Sequence, residues 1–251
     1  KKKNLKCYMY CNGAKLNGEF LKKVLNEKID FIRFSMIGYD KKTYKEWMNI
    51  DNFDLILSNI KEAKEYIEKN NLKTKLGTYH LITDNGNLKN EIDLYKENII
   101  NKTGVFAYIW KMHNWSGNYE NKNARAKTER RTCGRPFAPE LTVRSGGEMN
   151  RTGGIVPCCQ TLGPPNEEKS LLGHLDNQSF EEVYFGEKYR KLREAHENKE
   201  FDKIEYCKDC DFLYDDPEVL IWSNDPEARP HHMLGTDEEF TLTDYSLNKL
   251  S

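Results

Sequence analysis

The chain has 251 residues, in which 39 lysines and arginines nearly balance 40 aspartates and glutamates, and its mean hydropathy is −0.84. With the two signs interspersed, no basic field recruits nucleic acid and no polybasic tail points to a membrane surface. No apolar run approaches the roughly 18 residues of a membrane span or the core of a signal peptide. Seven cysteines without an export signal read as metal ligands plus free thiols in a reducing cytoplasm, not as a secreted disulfide scaffold.

The first 115 residues alternate strand and helix. Cys7 to Cys11 is a short apolar run stopped by the turn pair Asn12-Gly13, and Leu16, Phe20, Leu21, Val24, Leu25 and Ile29 then recur at helical spacing. Phe31 to Ile37 reads as a buried strand ending at Gly38. Phe53, Ile56, Leu57, Ile60, Ala63 and Ile67 mark the inner face of a helix that starts near Asp51. Lys75 to Ile82 is the next strand, Leu88, Ile92, Tyr95 and Ile99 the next helix face, and Val105 to Trp110 the fourth strand. Crossovers of this length predict an α/β fold with a parallel sheet, open or part of a barrel. Ligands in such sheets bind at the carboxyl ends of the strands. That places Asn12, Ser35, Tyr79, His80, Trp110, His113 and Asn114 around the candidate site.

Residues 116–132 are polar and read as a linker. From Cys133 to the end at 251 the α/β rhythm gives way to a small, loop-rich α+β domain. Leu141-Thr142-Val143 and Gly154-Ile155-Val156 predict a hairpin around a glycine-rich loop. Asp176 or Ser179 caps a helix running to about Asn198, with Phe180, Val183, Tyr184, Tyr189 and Leu192 on its apolar side.

Four cysteines of this region, Cys133, Cys158, Cys207 and Cys210, are spaced as ligands of one metal centre. Cys207 and Cys210 form a C-x2-C clip whose single turn presents two thiolates to one metal, and distant thiolates complete the coordination. Such a set suits structural zinc or an iron–sulfur cluster. Cys158 and Cys159 point apart on an extended segment, so only one binds, and Cys158 is the expected ligand. Cys7 and Cys11 have no further ligands near them in sequence and read as packed strand thiols. His231-His232 reads as a loop feature, and Asp209, Asp211, Asp215 and Asp216 as carboxylates bonded to local backbone amides.

Cys158 preceded by Gly153-Gly154-Ile155-Val156-Pro157, then a helix with Leu192-Arg193, then Cys207-x2-Cys210, resembles the auxiliary-cluster domain of radical S-adenosylmethionine (SAM) enzymes, called SPASM in its long form and Twitch in its short form. Cys133 fits the opening cysteine of that pattern, with a longer interval to Gly153 than is usual. With no cysteine after Cys210, the resemblance implies one auxiliary 4Fe-4S cluster on Cys133, Cys158, Cys207 and Cys210. Tyr10-Cys11-Asn12-Gly13 resembles the turn after the third strand of the family's partial (β/α) barrel, and Phe34-Ser35-Met36-Ile37-Gly38 the end of its fourth, where a serine meets the SAM ribose. Residues 1–115 would then be the C-terminal part of that barrel. The resemblance implies Asn12 and Ser35 on the SAM side. Tyr79, His80 and His113 are implied as catalytic residues, and Trp110 and Asn114 as substrate-binding ones.

The family's C-x3-C-x2-C loop, which holds the cluster that cleaves SAM, is not in these residues. The expectation is an N-terminal portion of the parent protein that carries it, with its second 4Fe-4S cluster. The implied reaction removes a hydrogen atom from a small polar substrate, a sugar or amino sugar, with peptide maturation as the other substrate class. An electron donor such as flavodoxin or ferredoxin is the implied partner. The rival reading is a non-catalytic zinc or iron–sulfur module serving assembly or electron transfer.

Overall fold

The computed structural model of the chain describes residues 5–120, 129–138, 141–144, 153–161, 167–214 and 220–228. These residues divide into two compact units, one of residues up to 111 with 220–228, the other of residues 112–214.

The first unit is a mixed α/β structure on a parallel sheet. Its strands are β1 (Tyr8–Cys11), β2 (Phe31–Ser35), β3 (Lys75–Leu81) and β4 (Phe106–Trp110), and they lie side by side in chain order. Each neighbouring pair is parallel, with Cys11 beside Phe34, Ser35 beside Tyr79, and Tyr79 beside Tyr108. The crossovers carry α1 (Gly18–Asn26), α2 (Lys41–Met48), α3 (Phe53–Lys69) and α4 (Leu88–Tyr95), the last continuing through a wider turn at Lys96–Ile100. Alternation along each strand sends Ile32, Phe34, Leu76, Ala107 and Ile109 into one core with Leu21, Leu25, Ile56, Ile60, Ile92 and Tyr95 from the helices. A fully buried leucine or isoleucine there contributes about 1.5–3 kcal/mol. The opposite sheet face carries Tyr10, Arg33, Ser35, Tyr79, Phe106 and Tyr108, all exposed or half-buried.

Two elements of this unit depart from the sequence expectation. The capping box of Asp40 and Thr43 starts α2, a helix whose only buried residue is Tyr44. A fifth strand, β8 (Leu220–Ser223), pairs antiparallel with β4 and packs Ile221 and Trp222 on the core. The segment 220–228 therefore belongs with the sheet, whereas the sequence assigned everything from 133 onward to the cysteine domain.

In the second unit, β5 (Thr142–Arg144), β6 (Gly154–Val156) and β7 (Gly173–His174) form a small antiparallel sheet, which includes the expected hairpin. Its glycine-rich loop, residues 145–152, lies outside the described residues, as do Asp215, Asp216 and His231-His232. Ser179, not Asp176, caps the helical stretch through a capping box with Glu182. That stretch is two helices, α5 (Phe180–Tyr184) and α6 (Glu187–Glu197), because the chain breaks at Gly186, where a Cβ would stand 2.5 Å from the Glu182 carbonyl oxygen. The expected linker ends inside this unit. Residues 121–128 lie outside the described residues, but Arg130 makes a two-pronged 2.8 Å pair with Asp202 and a bridge to Tyr214. Among the described residues, no helix is long and apolar enough to cross a membrane.

Candidate metal centre

Three separate segments of the second unit bring the cysteines together. Cys133 precedes Gly134, whose φ of +76° turns the chain into the Arg135–Phe137 helical turn. Arg193 of α6 fastens this turn: its Nε donates to the Pro136 carbonyl (2.9 Å) and its Nη2 to the Tyr184 carbonyl (2.7 Å), with the guanidinium over the Tyr184 and Tyr189 rings. Cys158 follows β6, and its carbonyl accepts from the Thr161 amide and hydroxyl. Cys207 and Cys210 share one turn, with the Cys210 amide donating to the Cys207 carbonyl at 3.0 Å. The clip packs against Phe201 and Leu213, and Cys207 also touches the cluster of Ile155, Leu172, Val183, Tyr189 and Leu192.

The four thiols sense one another. Burial pushes the Cys207 thiol far up, and the neighbouring Cys133, Cys158 and Cys210 raise it further. Burial pushes Cys210 up to about 12, against an amide hydrogen bond from Phe212, with Cys158 and Cys133 again adding to the rise. Burial likewise raises Cys133, although the Arg135 amide donates to its sulfur and the Arg135 charge opposes the rise. Arg135, 3% exposed, lies among the sulfurs of Cys158, Cys159 and Cys133 and over the Phe212 ring at 4.8 Å. Among the described residues, no group of three or more His, Cys, Asp or Glu side chains is placed to hold a metal ion. Three desolvated sulfurs that each feel Cys158, two of them receiving backbone amides, are a donor set that fits a thiolate-bound iron–sulfur group.

The remaining predicted site residues separate. His113 and Asn114 belong to the second unit. Asn114 is spent on the loop beyond the clip: its amide donates to Asp211 Oδ2 (2.9 Å), its Nδ2 to the Asp209 carbonyl (2.7 Å), and its Oδ1 accepts from the Asp211 amide (3.2 Å). The predicted substrate contact at Asn114 is therefore corrected to a structural one, and the amide that Asp211 accepts from is that of Asn114, not a local one as expected. His113 is buried edge-on against Trp115 and tilted against Phe212.

His80 is also corrected. At 0% exposure its Nε2 meets Glu91 Oε1 at 2.7 Å, its Nδ1 accepts from the Gly38 amide at 3.1 Å, and its ring stacks on Tyr95. It points to the helix side, and Tyr79, its neighbour on β3, points to the other. Tyr79 and Tyr10 enclose the Arg33 guanidinium, 4.7 and 4.1 Å from their ring centres. Ser35 ends β2 half-buried on that same face, and Trp110 ends β4 beside Leu81. Asn12 is exposed after β1, its Oδ1 accepting from the Ala14 amide. Cys11 is half-buried against the core as expected, whereas Cys7 is exposed and precedes β1.

Sequence reasoning missed Arg135, Arg33 and the Tyr108–Asp225–Lys75 group, and quoted Arg193 only as part of a motif. In that group the Tyr108 hydroxyl donates to Asp225 Oδ2, and Lys75 Nζ stands 2.7 Å from the same carboxylate. The only signal for Arg33 and Arg135 was a cation in an apolar or cysteine-bearing segment.

No curated protein matches the chain. Among solved structures it is similar to BtrN, crystallised in complex with AdoMet and 2-DOIA, at 13% identity and a TM-score of 0.33, over 86% of this chain and 95% of that one. Residues 145–211 match the family model of SPASM, an iron–sulfur cluster-binding domain. The matched span contains Cys158, Cys207 and Cys210 and begins after Cys133. Residues 145–211 of the cysteine-bearing unit are thus similar to the SPASM iron–sulfur cluster-binding domain.

Proposed function

We propose that the chain is part of a radical SAM enzyme acting on a small polar substrate, a sugar or amino sugar. In this reading Cys133, Cys158, Cys207 and Cys210 hold one auxiliary 4Fe-4S cluster, and the parallel sheet is part of the SAM-binding partial (β/α) barrel. The observation that carries the proposal is the mutual electrostatic contact of four thiols from three segments, three of them within the residues that match SPASM. When bound, SAM with its reducing cluster supplies the radical that takes hydrogen from substrate, and the auxiliary cluster supplies one-electron redox chemistry.

The residues of this chain hold and orient. Ser35 and Asn12, at the carboxyl ends of β2 and β1, are assigned to SAM. Tyr79 and Trp110 are assigned to substrate, with Tyr79 also fixing the Arg33 guanidinium by stacking on it. Ring faces and hydroxyls on one sheet face suit a polyhydroxylated substrate, which offers C–H surface and hydrogen-bonding groups together. The sequence holds no C-x3-C-x2-C loop, so none of these residues is assigned to SAM cleavage itself. A one-electron donor such as flavodoxin or ferredoxin is the proposed partner.

Anaerobic reconstitution with iron and sulfide tests the cluster. About four irons and four sulfides per chain, with a brown colour, support the reading; a colourless protein retaining one zinc overturns it in favour of a structural module. In a parent chain that carries the C-x3-C-x2-C loop, SAM and reductant should yield 5′-deoxyadenosine. Failure to do so with both clusters in place refutes the radical reading.

A further inference from the structure

We propose that Arg135 is a positioning residue that tunes the auxiliary cluster: its buried guanidinium, held beside the Cys158 sulfur, raises the reduction potential of a cluster bound by the four cysteines. The inference rests on the cluster reading above. Three placements carry it. The side chain is 3% exposed, so water screens its charge poorly. Its guanidinium lies with the sulfurs of Cys158, Cys159 and Cys133 around it, and it bonds that of Cys158. Its position is fixed from two sides, by the Phe212 ring at 4.8 Å and by the turn through Gly134 and Pro136 that Arg193 ties to α6.

The backbone at both contacts also serves the sulfurs. The Arg135 amide donates to Cys133, and the amide of Phe212, whose ring the guanidinium covers, donates to Cys210. One residue thus touches the surroundings of three ligands. Reduction adds one negative charge to a cluster and its thiolates, and a fixed cation close by in a poorly hydrated site favours that reduced state. An arginine stays charged throughout, so the effect does not depend on pH.

The test is an EPR-monitored potentiometric titration of the reconstituted protein and two variants, Arg135→Gln and Arg135→Lys, with iron counted in each. Arg135→Gln should hold its irons and shift the reduction equilibrium at least tenfold toward the oxidised form, which is 59 mV for a one-electron couple. Arg135→Lys keeps the charge and should shift by less than half of that. A cluster-loaded Arg135→Gln within twofold of wild type overturns the inference while leaving the cluster reading intact. A wild-type protein that holds no cluster instead defeats that reading. If Arg135→Gln cannot hold iron, retention by Arg135→Lys supports the role of the charge, and equal loss in both variants overturns it in favour of a packing role.

Discussion

Replacing Glu91 with alanine should loosen the two loops at the carboxyl ends of β2 and β3 together. Glu91 is 2% exposed, and its Oε1 meets His80 Nε2 at 2.7 Å and accepts from the Thr83 amide and hydroxyl at 2.8 Å each, while Oε2 accepts from the Asp84 amide at 3.1 Å. Because the Gly38 amide donates to His80 Nδ1, the histidine proton that faces Glu91 belongs to Nε2. Thr83 is half-buried and Asp84 exposed, so water can replace the carboxylate there, but His80 has no such recourse. A stranded buried donor costs about 1–3 kcal/mol and each of the three lost loop bonds about 1 kcal/mol more, which gives about 4–6 kcal/mol for Glu91→Ala. Glu91→Gln keeps the acceptor and the volume and should cost about 1–2 kcal/mol. Burial pushes the Glu91 carboxyl up, but the His80 contact and the Thr83 donors outweigh it and hold it below its ordinary value of 4.5. A depressed carboxylate contributes stability above its unfolded value and loses it as pH falls through the folded one, so wild type should weaken in acid on this account and Glu91→Gln should not. Amide exchange at Gly38, Thr83 and Asp84, with urea unfolding alongside, reads the effect in the first unit alone. Glu91→Ala within about 0.5 kcal/mol of wild type, with Gly38 exchange unchanged, would refute the coupling of the loops.

Gly77→Ala places a Cβ 2.8 Å from the Tyr108 ring and 3.1 Å from that of Phe31, so thermal or urea unfolding should show an overpacking loss of about 1–3 kcal/mol. Asn114→Ala frees the Asp209–Asp211 loop beside the clip; a stability loss of about 2 kcal/mol and faster iron release to a chelator are expected, and unchanged release would count against the support role. Cys158→Ser should lower the iron retained on reconstitution and Cys159→Ser should not, which iron analysis decides directly. Arg130→Ala removes an exposed pair with Asp202 and should cost less than about 1 kcal/mol in the same unfolding assay, despite the pair's two-pronged geometry.

The strands and long helices of the first unit were legible because their cores repeat locally. Alternation marks Ile32 and Phe34, and helical spacing marks Ile56, Ile60 and Ala63. The helix α2 escaped notice because it buries one residue, although Asp40 and Thr43 already spelled its start. The strand β8 was illegible for a different reason: its partner β4 lies more than a hundred residues earlier, and no local pattern encodes that pairing. His80 was misplaced although the signal was present, since adjacent strand residues face opposite sides and Tyr79 and His80 could not both reach one site. Proximity to a strand end misled again at Asn114, whose contacts run to Asp209 and Asp211. The C-x2-C clip was readable because its geometry is local. The approach of Cys133 and Cys158 to it is tertiary; spacing suggested one centre for the four, and the family resemblance gave it a cluster type.

The second unit is held together differently from the first, and the difference bears on what its cysteines do. Among the described residues, two of its apolar clusters hold five and three buried residues, against twenty in the core of the sheet unit. Cores of that size contribute little beyond the conformational entropy they must offset. The segments bearing the cysteines are joined instead by specific polar ties: Arg193 to the Pro136 carbonyl, Thr132 to His196, Asn114 to Asp209 and Asp211. Each tie orients a loop next to a cysteine, and none of them spans all three segments. The four thiols do span them, so a group bound to all four would close the longest loops in the unit and supply the cross-link that its small cores lack. In such an arrangement the same ligands that would set the electron chemistry of the cluster also set the fold around it, and a residue such as Arg135, buried between them, acts on both.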